Sequence, residues 1–285
     1  MGSSDTTEPH TPAGRAGLAA LLAAPAGAVV ALDFDGTLAP IVADPEQARA
    51  HPGAVPVLAR LAPRLGAVLV LTGRPAATAV RLGGFADVPG LEHLVVLGHY
   101  GAERWDAATG ELVEPPVHPG VPAVRAELPR LLAESNAPEG TWTEDKGRSV
   151  AVHTRRTADP DGTLAALREP LARLAAAHGL AVEPGRMVVE LRPPGVDKGA
   201  ALADFLRERG ARSVLYAGDD LGDLAAYATV EKLRADGLPG LLVCSGPVTG
   251  EPPVRELADR ADLVVPGPAG VVALLEWLCS VIPAR

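Results

Sequence analysis

Cysteine is nearly missing from this 285-residue chain: Cys244 and Cys279 are the only two. Two thiols cannot build a disulfide framework, so a reducing cytoplasm is the expected compartment. Cationic charge is also short, with 26 Lys and Arg against 35 Asp and Glu and a formal net charge of −9. That balance gives no reason to expect nucleic acid as the main partner, although a local basic patch could still bind a small anion. Long apolar runs are absent: none approaches the roughly 20 residues that cross a bilayer, so no membrane partner is expected. The polar opening MGSSDTTEPHTPAG and the Ala-rich run 18–28, broken by Pro25 and Gly27, lack the basic and apolar segments of a signal peptide. No fixed-period repeat is present. Glycine (31) and proline (28) are plentiful, yet below the level of a disordered or collagen-like chain. Apolar residues at 47% and charged residues at 21% are ordinary for a chain with a core. The length suggests about two domains.

Residues 1–14 are expected to form a disordered tail. The apolar runs 29–32, 68–71 and 94–97 read as buried strands, and a helical spacing of Val57, Leu58, Leu61 and Leu65 falls between the first two. Strand alternating with helix is the pattern of a parallel sheet with right-handed crossovers. The pattern then changes. Pro115, Pro116, Pro119 and Pro122 cluster ahead of a helical stretch, 124–135. A hairpin is expected around Gly147, then a helix with Leu164, Leu167, Leu171 and Leu174 on one face, then short strands at 181–183 and 187–191. After Pro193 and Pro194 the alternation resumes, with strands at 214–217, 241–244 and 263–265 and a last helix over 269–281. The expected fold class is α/β: a Rossmann-like parallel-sheet core over 15–111 and 189–285, with an inserted α+β cap domain over 112–188.

Three polar clusters follow directly on buried strands: Asp33-Phe34-Asp35-Gly36-Thr37, Thr72-Gly73-Arg74 and Gly218-Asp219-Asp220. The carboxyl ends of the strands line the ligand crevice of an open parallel sheet, so clusters distant in sequence converge there. Convergence of Asp33, Asp35 and Asp219 calls for a cation among the carboxylates, and hard oxygen ligands point to Mg²⁺. His10, His51, His93, His118 and His178 have no metal-ligand spacing. Both cysteines read as small buried hydrophobes, and Trp105, Trp142 and Trp277 as packing residues.

The segment LDFDGTL, 32–38, resembles the nucleophile motif of the haloacid dehalogenase-like phosphatases. Thr72 in LTGRP, Lys198 in GVDKG and Asp219 with Asp223 in GDDLGD match that superfamily's further motifs, in order. The resemblance implies Asp33 as nucleophile and Asp35 as general acid and base. It also implies that Thr72 holds a phosphate oxygen, with Gly73 and Arg74 beside it at the substrate, and that Lys198 offsets charge at the nucleophile. Asp33, Asp35, Asp219 and Asp223 are the implied Mg²⁺ ligands. Gly36 permits the sharp turn that exposes both acids. The likeness extends to the trehalose-6-phosphate phosphatase family from about residue 28 to 279: LDFDGTLAPIV, GHYGAERW, TEDKGRSVAVH, VVELRPPGVDKG and YAGDDLGD resemble that family's segments. In the third of these, alternation puts Glu144 and Lys146 on one face of the hairpin, as it does Ser149, His153 and Arg155. Those side chains, with Glu190 and Arg192, are implied to bind sugar hydroxyls, which both donate and accept. The chain departs from the family at Tyr100, where a histidine is usual, at Thr154, and at Gly222 and Leu224.

The implied activity is Mg²⁺-dependent hydrolysis of trehalose 6-phosphate through an aspartyl-phosphate, with the cap closing over the sugar about hinges near 111–122 and 192–195. The implied partner is a small sugar phosphate, and no protein partner is indicated. Three alternatives remain at this point: a related phosphatase for another disaccharide or pseudo-disaccharide phosphate, a sugar phosphomutase, and a silent sugar-phosphate binder.

Overall fold

A computed structural model describes residues 7–42, 44–185, 187–247 and 254–284. The chain divides into two compact units, Met1–Glu114 with Asp197–Arg285, and Pro115–Val196. In chain order the first unit opens with α1 (Pro12–Ala23), β1 (Ala28–Leu32), α2 (Ala54–Leu61), β2 (Ala67–Leu71), α3 (Ala76–Gly83), β3 (Leu94–Gly98), β4 (Glu103–Asp106) and β5 (Leu112–Val113). The second unit holds α4 (Gly120–Glu134), β6 (Trp142–Asp145), β7 (Val150–His153), α5 (Pro160–Ala177), β8 (Ala181–Gly185) and β9 (Val188–Arg192). The first unit resumes with α6 (Lys198–Glu208), β10 (Ser213–Gly218), α7 (Leu224–Ala235), β11 (Gly240–Gly246), α8 (Arg255–Ala258), β12 (Leu263–Pro266) and α9 (Gly267–Val281).

The first unit is built on an eight-stranded sheet in the order β12-β11-β10-β1-β2-β3-β4-β5. β12 through β3 run parallel, and β4 and β5 add an antiparallel edge. The central strands are buried at every residue because helices cover both faces. Val30, Leu32, Val68 and Val70 pack on one side with α2, α3 and α9, while Val29, Ala31, Leu69 and Leu71 pack on the other with α6 and α7. Each fully buried Leu or Val on this sheet is worth about 1.5–3 kcal/mol. β1 lies between β10 and β2, so the strand that follows the insertion returns beside the first strand of the chain.

Within the stretch expected as a tail over 1–14, Thr11 to Gly14 belong to the start of α1. Thr11 caps α1 by accepting the Gly14 N–H at 2.9 Å, and its hydroxyl donates to Asp262. Gly14, Gly17 and Leu21 are buried, so an Ala-rich run with few large apolar side chains still docks by close backbone approach. Residues 1–6 lie outside the described residues.

The second unit is a four-stranded antiparallel sheet in the order β6-β7-β9-β8. Val150, Val152, Val189 and Leu191 point to one face, where Val121, Val124 and Leu128 of α4 and Leu164, Leu167 and Leu171 of α5 close a separate core. The insertion runs from Pro115 to Val196 rather than over 112–188. Two pairings explain the shift. β5 pairs with β4 and keeps 112–113 in the first sheet, while β9 pairs with β7 and β8 and keeps 188–192 in the second.

Among the described residues, no helix is long and apolar enough to cross a membrane.

Candidate active site

Asp33, Thr72 and Asp219 directly follow β1, β2 and β10, which are neighbours in the parallel sheet. Shared register brings three sequence-distant motifs to one end of it. Asp33 is tied to β10 by its own N–H, which donates to the Ala217 carbonyl at 2.9 Å. The turn after it is sharp. Gly36 has φ +76, and a Cβ there would stand 2.1 Å from Asp219 Oδ2, so only glycine fits between the two motifs. From β11, Ser245 Oγ donates to the Gly36 carbonyl at 2.6 Å and fixes the turn from a third strand.

Asp33, Asp219 and Asp223 each offer a carboxylate oxygen within 4.8 Å of the others. Lys198, the first residue of α6, enters this group from the side. Its Nζ donates to Asp33 Oδ1 at 2.5 Å and to Asp223 Oδ1 at 2.7 Å, and it is 4% exposed. Burial alone would lower the Lys198 ammonium, but Asp223 and Asp33 outweigh it and hold the group well above its ordinary range. Burial pushes Asp33 well up, opposed by Lys198 and reinforced by Asp223 and Asp220. Asp219 is pushed up by burial and then by Asp33, Asp220 and Asp223. One ammonium faces several crowded carboxylates, and a divalent cation with oxygen ligands is the group that such a donor set fits.

Asp223 differs from its neighbours. Its Oδ1 accepts from Lys198 and, at 2.6 Å, from Tyr216 Oη, and its Oδ2 accepts the N–H groups of Asp219 and Asp220 at 2.9 and 3.2 Å. Asp220 returns the favour by capping the turn Leu221–Asp223, its carboxylate accepting the Gly222 N–H at 2.9 Å. Asp220 and Asp223, three apart, thus close a reciprocal capping box directly after Asp219.

Asp35 stands outside the trio. Its carboxylate is taken by the fork of Arg74, with Nε and a terminal nitrogen 2.6 and 2.7 Å from its two oxygens, and the guanidinium also lies over the Phe34 ring. A bidentate arginine thus engages both of its oxygens. Thr72 is buried, and its hydroxyl oxygen accepts the Arg74 N–H at 3.1 Å. Gly73 lies under Tyr100: a Cβ there would meet the phenol ring and hydroxyl at 2.7 Å. His99 and Tyr100 both have positive φ, and their N–H groups bind the carbonyls of Arg74 and Thr72.

Within the second unit, Glu144, His153, Glu190 and Arg192 lie on the sheet face opposite its helices. Lys146 Nζ donates to Glu190 Oε2 at 2.7 Å and Ser149 Oγ to Glu190 Oε1 at 2.5 Å. His153 Nε2 lies 2.8 Å from Glu144 Oε2, and Arg192 donates to Glu183 at 2.5 Å. Trp142 stacks on His153, with centroids 4.4 Å apart and planes 7° from parallel, and Arg156 lies over the indole. The packing role expected for Trp142 is therefore packing onto a polar face. Tyr216 was not singled out in the sequence. Tyr216 carried one signal, as the polar-tipped side chain in an otherwise apolar buried strand.

A family model described as trehalose-phosphatase matches residues 31–256. A probable trehalose-phosphate phosphatase of Sinorhizobium fredii is 35% identical over 223 residues, which cover 76% of this chain and 77% of that protein. A trehalose-phosphate phosphatase of Mycobacterium avium is 36% identical over 75% of this chain, and the match spans only 54% of its length. Among solved structures, the C-terminal domain of a C. albicans trehalose-6-phosphate phosphatase superposes with a TM-score of 0.72 at 20% identity, covering 97% of this chain and 99% of that one. That likeness bears on the fold alone: a Rossmann-like parallel-sheet core with an inserted domain.

Proposed function

Because the chain belongs to the trehalose-phosphatase family, we propose that it hydrolyses trehalose 6-phosphate to trehalose and phosphate. The observation that carries this reading is the buried ammonium of Lys198 bridging Asp33 and Asp223 beside Asp219, at the carboxyl ends of adjacent strands. A carboxylate paired with a lysine within an acidic cluster suits attack on phosphorus.

In this reading Asp33 attacks the phosphorus and carries the phosphoryl group as an aspartyl-phosphate. Asp35 gives a proton to the departing sugar oxygen and later takes one from the attacking water. Arg74 must release one or both oxygens of Asp35 for this. Its fork is shaped for phosphate as well as carboxylate, so arrival of the substrate phosphate supplies the exchange partner. Thr72 holds a phosphate oxygen, and Lys198 offsets the charge that accumulates on Asp33 and the phosphoryl group. Asp33 and Asp219 would hold Mg²⁺, with Asp223 bracing Lys198 and the backbone of Asp219; the ion would neutralise the repulsion between nucleophile and phosphate. Glu144, Lys146, His153, Glu190 and Arg192 would recognise the sugar, since their paired acceptors and donors match hydroxyls that do both.

Tyr100, in place of the family's histidine beside the phosphate motif, favours one second reading: the same reaction on a different disaccharide phosphate. Phosphate release from a panel of sugar phosphates, with and without Mg²⁺ and with Asp33→Asn as control, separates the two. Selective Mg²⁺-dependent release from trehalose 6-phosphate, lost in the control, is expected. Release from another ester with trehalose 6-phosphate inert would replace the substrate and leave the chemistry standing.

A further inference from the structure

Tyr216 lies in the middle strand of the acidic cluster, three residues before Asp219, and has no exposed surface. Its ring meets Tyr227 edge-on, with centroids 6.0 Å apart at 87°. Its hydroxyl donates to Asp223 Oδ1 at 2.6 Å.

A carboxylate has about four lone-pair sites. In Asp223 all four are matched: Tyr216 and Lys198 share Oδ1, and the Asp219 and Asp220 N–H groups share Oδ2. Two consequences follow. The carboxylate is held both from the strand and from the loop, so its position is not set by Lys198. Its charge is also partly compensated before the lysine arrives. An Asp223 lacking the phenol would draw the ammonium toward itself, and the shared position with Asp33, 2.5 Å from Nζ, would weaken.

We propose that Tyr216 is a positioning residue for the reaction: through Asp223 it holds the Lys198 ammonium against the nucleophile Asp33. The inference rests on the reading of Asp33 and Lys198 given above. It also separates Tyr216 from packing residues of the same strand, because what matters is one oxygen atom rather than the ring.

Tyr216→Phe removes that atom and keeps the edge contact with Tyr227. With trehalose 6-phosphate at saturating Mg²⁺, kcat is expected to fall about 10-fold, the scale of one hydrogen bond to a charged group. KM and the Mg²⁺ concentration for half-activation are expected to stay within about twofold, because neither substrate nor cation touches the phenol. In an Asp223→Asn background the same substitution should change kcat by less than about twofold, since the carboxylate it aligns is gone. Unaltered kcat in Tyr216→Phe would overturn the inference. So would equal losses in the two backgrounds, or a parallel shift of kcat, KM and Mg²⁺ dependence that tracks a loosened fold. Wild-type protein inert toward trehalose 6-phosphate would overturn the functional reading, and this inference with it. Active wild type with an indifferent Tyr216→Phe overturns this inference alone.

Discussion

Among the described residues, Lys198 supplies the ammonium between Asp33 and Asp223, and its removal leaves both buried carboxylates without a cationic partner. Lys198→Met is expected to cost about 3–5 kcal/mol of stability, the usual penalty for breaking a buried pair from one side. Urea denaturation of metal-free protein measures it. Because the folded ammonium titrates above its unfolded value, its contribution is complete below the ordinary lysine range and is lost only as pH rises through the folded value. The lysine's own contribution should therefore not decline until the pH passes the ordinary lysine range. Asp219 behaves oppositely. A carboxylate pushed up by folding opposes the fold at pH values above its unfolded range and ceases to do so as pH falls. Asp219→Asn is expected to raise the melting temperature of metal-free protein near pH 7 and to abolish the rise that Mg²⁺ gives wild type. A variant less stable without metal, or still stabilised by Mg²⁺, would remove Asp219 from the proposed ligand set.

At the scale of elements, the turn after β1 and the turn after β10 are built against each other. Gly36→Ala would put a methyl group into the Asp219 carboxylate while forcing a left-handed backbone on alanine. A cost of about 1–3 kcal/mol and loss of Mg²⁺-dependent activity of at least about 100-fold are expected, read from thermal melts and phosphate release. These turns were legible in the sequence because each is a polar cluster ending an apolar run, as at Leu32-Asp33 and Gly218-Asp219. The parallel strands were legible for the same reason. The β4–β5 edge was not, since Glu103–Asp106 mixes charge with one tryptophan and Leu112–Val113 is too short to show alternation. α1 was missed because Ala and Gly dock without an apolar stripe. Arg74 was expected at the substrate, but its capture of Asp35 depends on a distance between two loops that no spacing in sequence encodes. Lys146 and Glu190, expected separately at the sugar, come together across two strands for the same reason.

At the scale of the molecule, Pro115–Val196 has its own sheet, two helices and a core of Val150, Val152, Leu167, Leu171 and Leu191. Expressed alone, residues 115–196 are expected to give a cooperative thermal transition and dispersed amide signals, as an independently cored domain does. A melted spectrum would mean that this core needs the rest of the chain. The discontinuity that frees this unit has a cost during synthesis. β1 meets β2 soon after both leave the ribosome, but its other edge waits for β10, which is made only after the whole insertion. Until Ser213–Gly218 emerges, the nascent sheet presents the open flank of Ala28–Leu32, an uncharged β-prone segment of the kind that pairs with other chains. The strand that completes the acidic cluster is therefore also the one that ends this exposure.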